Sequence, residues 1–376
     1  MFIVSSVIGL IIMPLYGIFV DGYDSVEWVT FALFLFFSGT GITAGYHRLW
    51  SHKAYEAHPI LKWWLAFWGA ASVQNSILVW CAGHRIHHRY VDSTEKDPYS
   101  IKRGFWFAHL GWMVRNYESG RFDFNNVNDL KKDKVVMIQH NHYIAFVVAS
   151  TIALPLFLGY LNGDMWGMFL LVGAFRLVLN HHFTFFINSL CHMWGRQPYT
   201  DTNSARDNDL LAMITYGEGY HNFHHFFQTD YRNGVRWWQF DPTKWMIFAL
   251  EKVKLAYNLR RVPEFKIQEA IVKMQLIQAQ NSIENSYFPS KENIKASIER
   301  EYQQLRTTLD DWTKLRSEWI KKQRETLYQT TESVKAKLDT LITMSQFKEL
   351  EYSLQLQKRR LYKLNKFFNK HPHPTS

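Results

Sequence analysis

Residues 60–81 read ILKWWLAFWGAASVQNSILVWC, and the status of this one stretch decides the fold. A helix needs about 20 apolar residues to cross a bilayer, so by length the stretch could be a span. It also carries Lys62, Gln74 and Asn75, and three clustered tryptophans, Trp63, Trp64 and Trp68. That mixture suits a helix lying in the membrane interface better than a crossing one. The consequence reaches both flanks. HRLWSH (residues 47–52) precedes the stretch and HRIHH (residues 84–88) follows it. A crossing helix would put these two histidine clusters on opposite faces of the membrane, where they could share no site. An interfacial helix keeps them together.

Working outward, four other stretches are apolar enough to span: 2–20, 26–44, 143–161 and 165–190. The first lacks a basic leader and a small-residue cleavage site, so it reads as a retained span and not a signal peptide. The links 21–25 and 162–164 hold no Lys or Arg, whereas 46–142 and 192–376 are rich in both. Cationic segments stay on the cytosolic side. The expectation is therefore an all-α integral membrane protein of four transmembrane helices. Two short turns face outward, and a cytosolic helical cap and the C-terminus face inward.

The composition agrees with this partition. Of 376 residues, 47% are hydrophobic and 16% aromatic, including 15 Trp and 28 Phe, which excludes disorder for the first half. Mean hydropathy is only −0.24, so a polar region must dilute the spans. It begins near Pro263, where the apolar runs stop. In 294–309 and 312–327 the apolar residues recur three or four apart, which predicts amphipathic or coiled-coil helices, with Pro289 breaking the first. The chain thus divides into a membrane domain, 1–262, and a cytosolic helical extension, 263–376. Two cysteines exclude a disulfide framework and a cysteine-built zinc site. The basic residues flank spans, which speaks against nucleic-acid binding.

Seventeen histidines are the anomaly, and they cluster. A third group, HNFHH (residues 221–225), repeats the H-x-x-H-H spacing of HRIHH. At about 100° per residue, His88 lies about 40° from His84 and His87 about 60° to the other side. One helix face thus presents three imidazoles splayed widely enough to serve two metals, and His221, His224 and His225 do the same. His47 and His52 are five apart and do not stack on an α-helix; they fit the frayed end of the second span running into an extended segment. Imidazole suits iron, copper, nickel and zinc. Eight histidines without carboxylate ligands exceed one metal's needs, and two irons account for them better than a zinc site does.

HRLWSH, HRIHH and HNFHH, in this order, together with GFWFAHLGWM, FFINSLCHMWGRQPY and GEGYHNFHH, resemble the membrane fatty acyl Δ9 desaturases, the stearoyl-CoA desaturase-like family. The resemblance runs from the first span to about Pro263. It implies a di-iron centre and a ninth ligand, His192, with Asn188 holding a water. By the same likeness one iron takes His47, His52, His84, His88 and His225, and the other takes His87, His192, His221 and His224. It further implies oxygen-dependent insertion of a cis double bond into a saturated acyl chain. Gln74 and Trp80 match positions near the acyl chain, and Phe185 replaces a family tryptophan. Phe31, Leu35 and Ile42 on the second span match its chain-length determinants. At about 1.5 Å per residue, Phe31 lies roughly 24 Å along the helix from His47. Lys102 and Arg103 match a basic pair near the headgroup.

One departure bears on the substrate. Eukaryotic acyl-CoA members carry Arg-Asp before the second cluster, where this chain has Ala82 and Gly83. Acyl-CoA, acyl-lipid and acyl-carrier-protein substrates all stay open. No haem-binding HPGG signature follows Pro263. The implied electron donor is therefore a separate protein, such as a ferredoxin or a cytochrome b5-like protein, and a net charge of +10 favours an acidic one. The same charge suits a lipid surface. The expected setting is the inner membrane of a bacterium or the endoplasmic reticulum of a eukaryote. Two rival readings are a di-iron fatty acid or alkane hydroxylase and a bis-histidine haem cytochrome.

Overall fold

The computed structural model describes residues 2–121 and 124–284 and scattered helical positions between 292 and 363. The described residues are mostly helical. Among the described residues one two-stranded ribbon pairs Glu56 with Tyr257 and Ala57 with Ala256, antiparallel. Two compact units emerge, one of residues 1–197 and 202–261, the other of 198–201 and 262–376.

The first unit opens with α1 (Ile3–Phe19), an apolar helix shorter than the candidate spans. Next comes α2 (Ser25–Ser51), which is long and apolar enough to cross a bilayer. Asp24 starts it with a reciprocal cap: its carboxylate accepts the Glu27 N–H at 2.9 Å, and Glu27 accepts the Asp24 N–H at 2.9 Å. The helix runs seven residues past the expected end at 44 because its last part, Gly41–Ser51, is wound as a π-helix. The frayed end expected at His47 is therefore not found. Instead His52 N–H donates to His47 O at 3.0 Å, and i→i+5 winding brings two residues five apart into register.

Residues 60–81, expected as one interfacial helix, form two. α3 (Pro59–Ala70) leads into a tight turn, and α4 (Ile77–Tyr90) leaves it. Val73 and Asn75 adopt positive φ, 52° and 73°, which reverses the chain. Ala71 and Ser72, at the start of the turn, are buried, Val73 and Gln74 are half-buried and Asn75 is exposed. Ser72 Oγ donates to Ser38 O at 2.9 Å. Ser38 lies about 20 Å along α2 from Ser25, in the interior of a helix long enough to cross a bilayer. A helix end buried there needs donors for its free carbonyls. Arg176 supplies one to Ala71 O at 2.7 Å and Thr151 another at 3.3 Å, while a His181 ring nitrogen lies 2.8 Å from Ser72 O. Of the polar residues in this stretch, Lys62 pairs with Asp133 at 2.8 Å, and Gln74 and Asn75 lie in the turn between the two helices.

The remaining candidate spans are α5 (Tyr143–Asn162) and α6 (Met165–His192). Gly163, at φ 93°, ends α5, and Asp164 caps α6 by accepting the Gly167 N–H at 2.8 Å. Among the short helices of this unit are Lys134–Asn141, just before α5, and, after α6, α7 (Asp209–Ile214), α8 (His221–Phe226) and α9 (Pro242–Lys252). In the second unit, α10 (Glu264–Glu284) is helical throughout. Pro289 lies outside the described residues; of the two expected helices, ten of the sixteen residues of 294–309 are described and all ten are helical, whereas only four of 312–327 are described, also helical.

Candidate metal centre

The nine expected histidines converge. Two groups form, each with its ligand nitrogens within 4.8 Å of one another: His47, His52, His84, His88 and His224; and His87, His192, His221 and His225. The contacts within the first group are His47–His224 at 2.9 Å, His52–His84 at 2.8 Å and His88–His224 at 3.0 Å, all between Nε2 atoms. Within the second they are His87–His225 at 3.3 Å, His192–His221 at 3.1 Å and His221–His225 at 3.1 Å. Neighbouring ligands on one ion, with metal–nitrogen bonds of about 2.1 Å, would sit about 3 Å apart. The groups therefore have the spacing of two metal sites.

The partition differs from the family-based one at His224 and His225, which change places. Helix geometry accounts for which two histidines of α8 share a group. His221 and His225 are one α-helical turn apart and stack on the same face of α8, whereas His224 is offset by about 60° from His221 on the other side. α4 behaves identically: His84 and His88 share a group and His87 joins the other.

The protonation states suit metal binding. Burial, and then the crowding of other histidines, holds His52, His84, His88, His221, His224 and His225 well below the ordinary imidazole value. These rings are neutral and offer lone pairs. Outer contacts turn several Nε2 atoms inward. His87 Nδ1–H donates to Asp97 Oδ1 at 2.9 Å, and Asp97 is further held by the N–H groups of Asp92 and Tyr99. Ser204 gives its hydroxyl proton to Asp92, so its oxygen accepts from His192 Nδ1 at 2.7 Å. His47 Nδ1 lies 3.0 Å from Glu218 Oε2, off the line of a hydrogen bond. Burial alone would raise the Glu218 carboxyl; His47 and Arg48 outweigh it and hold it below its usual value. Carboxylates placed this way fix tautomer and ring orientation.

α8 is set by Asp207, whose Oδ1 accepts the N–H groups of Asn222 and Phe223 at 2.8 and 3.1 Å. Burial pushes this carboxyl up to about 7.

A cavity of about 470 Å³ opens beside the histidines, with His47, His84, His87 and His221 in its wall. Ile42, Gln74, Trp80, Phe185 and Asn188 lie in its wall. Trp80 Nε1–H donates to Gln74 Oε1 at 3.3 Å, and Gln74 Nε2 donates to Thr184 Oγ1 at 2.9 Å, which ties α4, the hairpin turn and α6 together across the wall. Phe31 and Leu35 do not line it; Phe31 stacks on Phe175, ring centroids 5.7 Å apart. Nor do Lys102 and Arg103. The Arg103 guanidinium lies 3.6 Å over the Phe107 ring and 4.5 Å over that of Tyr117. The exposed cations on the lining are instead Arg115 and Arg121. Asp92, Asp97, Ser204, Glu218 and Thr184 were not singled out in the sequence. Glu218 sits in GEGYHNFHH, a usable hint; the others carry no spacing signal.

Three helices long and apolar enough to cross a membrane, and two all-imidazole groups that could each hold a metal ion beside an apolar-walled cavity, define the class of protein. The chain belongs to the fatty acid desaturase family, whose model matches residues 26–261. It is 46% identical over 268 residues to "Probable acyl-CoA desaturase" of Schizosaccharomyces pombe, covering 71% of this chain and 56% of that one. It is 43% identical over 238 residues to "Acyl-CoA desaturase 1" of Saccharomyces cerevisiae, covering 63% and 46%. To "Icosanoyl-CoA 5-desaturase" of Limnanthes douglasii it is 36% identical over 250 residues, covering 65% and 68%. The chain thus spans about half the length of the two yeast relatives it matches.

Proposed function

We propose that the protein is a membrane fatty acyl desaturase that inserts a cis double bond, at the Δ9 position, into a saturated acyl chain. The observation that carries this reading is the convergence of nine histidines, in groups of five and four, with His47, His84, His87 and His221 in the wall of a cavity also lined by Ile42, Trp80 and Phe185. Two iron ions are the proposed occupants, since neutral imidazole suits iron and the nitrogen spacing suits one ion per group. Bound there, they would supply the oxygen-dependent removal of two hydrogens from adjacent methylenes, with two electrons drawn from a donor protein and the oxygen leaving as water.

The chain's own residues do the selecting. Methylenes are chemically alike, so a fixed wall must choose the pair. The Trp80–Gln74–Thr184 chain supports that role by bracing the cavity beside the histidines. Asn188 would hold a water at the second group. Phe31 and Leu35 are proposed as the far floor, met by the end of a longer chain. At the mouth, Arg115 and Arg121, with Lys102 and Arg103 on a neighbouring segment, would meet an anionic headgroup. Acyl-CoA is the proposed substrate, on the strength of the two yeast relatives' names. A separate acidic protein, a ferredoxin or a cytochrome b5-like carrier, is the proposed donor, drawn by the net charge of +10.

α1 is proposed as a fourth span. Seventeen residues make about 25 Å of helix, a shortfall that local thinning of the bilayer accommodates. With 21–25 and 162–164 outside, the histidines and the extension 263–376 are cytosolic. The test is expression in a desaturase-deficient host with fatty-acid profiling. A loss of two hydrogens from the substrate supports the reading; a gain of one oxygen makes the protein a hydroxylase.

A further inference from the structure

The first unit carries an exposed aromatic face that the metal centre does not use. Trp237 is 86% exposed and Trp238 55%. Their loop is firmly built. Lys244 Nζ donates to the carbonyls of Gly234, Arg236 and Gln239 at 2.7, 2.8 and 3.0 Å. Asp241 Oδ2 accepts the N–H groups of Asn233 and Gly234 at 2.9 and 3.0 Å. α9 extends the face: Trp245, Phe248 and Lys252 share one exposed side, opposite buried Ile247. Phe240 packs on Trp245 at 5.5 Å, which joins loop and helix.

Two bonds set the depth of this face. Thr243 Oγ1 lies 2.7 Å from Thr43 Oγ1 on α2, and the Tyr216 hydroxyl reaches further down to donate to Leu35 O at 2.9 Å. Thr43 is about 27 Å along α2 from Ser25, at the far edge of a hydrocarbon core about 30 Å thick. α9 therefore starts where α2 would leave the hydrocarbon. Tryptophan is the residue that favours this layer. The charge is complementary to anionic headgroups: residues 232–254 hold five Lys or Arg against two Asp or Glu, and Arg236, Lys252 and Lys254 are exposed.

We propose that residues 234–254 form an interfacial anchor, lying in the headgroup layer at the histidine end of the spans, and that its partner is an anionic bilayer surface. The anchor rests on the reading of α2 as a span. Its base is Asp241, which also bonds Arg48 beside Glu218 and His47, so the same carboxylate holds the anchor and the scaffold of the metal centre.

The test uses the full chain in nanodiscs of phosphatidylcholine, alone or mixed with phosphatidylglycerol. Nitroxide labels go on Trp237→Cys, on Leu33→Cys as a lipid reference and on Glu95→Cys as an aqueous one; Cys81 and Cys191 are buried. Collisions with oxygen are compared with collisions with a water-soluble nickel chelate. The label at 237 should favour oxygen well above the label at 95, and more so with phosphatidylglycerol. Arg236→Gln, Lys252→Gln and Lys254→Gln together should remove that increment, about fivefold per cation in the embedded-to-free ratio. A label at 237 as nickel-accessible as that at 95, with 33 still lipid-embedded, overturns the anchor and leaves the span; such a face would be a site for a soluble protein. Both 237 and 33 wet would overturn the span reading and the anchor with it. An increment that survives the triple substitution overturns the anionic partner.

Discussion

A histidine's neighbours along the helix decide which metal group it enters. Residues i and i+4 share one group and i+3 takes the other, on α4 and on α8 alike. The four-membered group therefore has fewer ligands to lose. His225→Ala leaves it three imidazoles and should release about half the bound metal, whereas His224→Ala leaves four in its group and should weaken binding without emptying it. Metal per chain, measured by mass spectrometry, separates the two; equal losses would mean that the groups are not independent. Asp207 bears on stability. Its folded value, about 7, lies above the ordinary 3.8, so the folded protein keeps a proton that the unfolded chain releases. That contribution is full below about pH 4 and is lost as pH rises through 7, by about 4 kcal/mol over the window. Asp207→Asn keeps an acceptor for Asn222 and Phe223 and removes the titration. Thermal melts should show its advantage over the parent growing from pH 5 to pH 8.

At the scale of elements, two irregularities build the site. The π-wound end of α2 aims His47 and His52 at one group, which an α-helix would not do for residues five apart. The reversal at Val73 and Asn75 brings Gln74 to Thr184 and lets α4 climb back to present its histidines. A β-branched residue at positive φ is strained, and this one lies in the cavity wall. The floor is tested on α2. Phe31→Ala removes a stacked ring and should cost about 3 kcal/mol. Leu35→Ala is the cleaner probe, and should shift the product profile toward longer chains without moving the double bond relative to the headgroup. Unchanged length preference at normal turnover would place Leu35 against lipid.

At the scale of the molecule, the family match ends at 261 and the first compact unit ends at Arg261. All nine histidines and the cavity lie within that unit. A chain ended after Leu276 should still insert and bind metal at the parent's stoichiometry. An inserted, expressed truncation without metal would make the second unit necessary to the centre.

What the sequence determined by itself was local. Apolar runs marked the three long helices, because hydrophobic length is a property of the segment alone. H-x-x-H-H spacing showed that each cluster could serve two metals, because angles within one helix follow from residue number. Tertiary structure decided the rest. Whether His224 or His225 faces the group of His47 depends on how α8 is rotated against α2 and α4, and spacing carries no information about rotation between helices. Residues 60–81 look interfacial because they mix Trp, Lys and amides; the turn they hide is stable only because Ser38, Thr151, Arg176 and His181 arrive from three other helices to satisfy it. Asp97 and Ser204 acquire their roles in the same way, from partners the fold brings within hydrogen-bond distance.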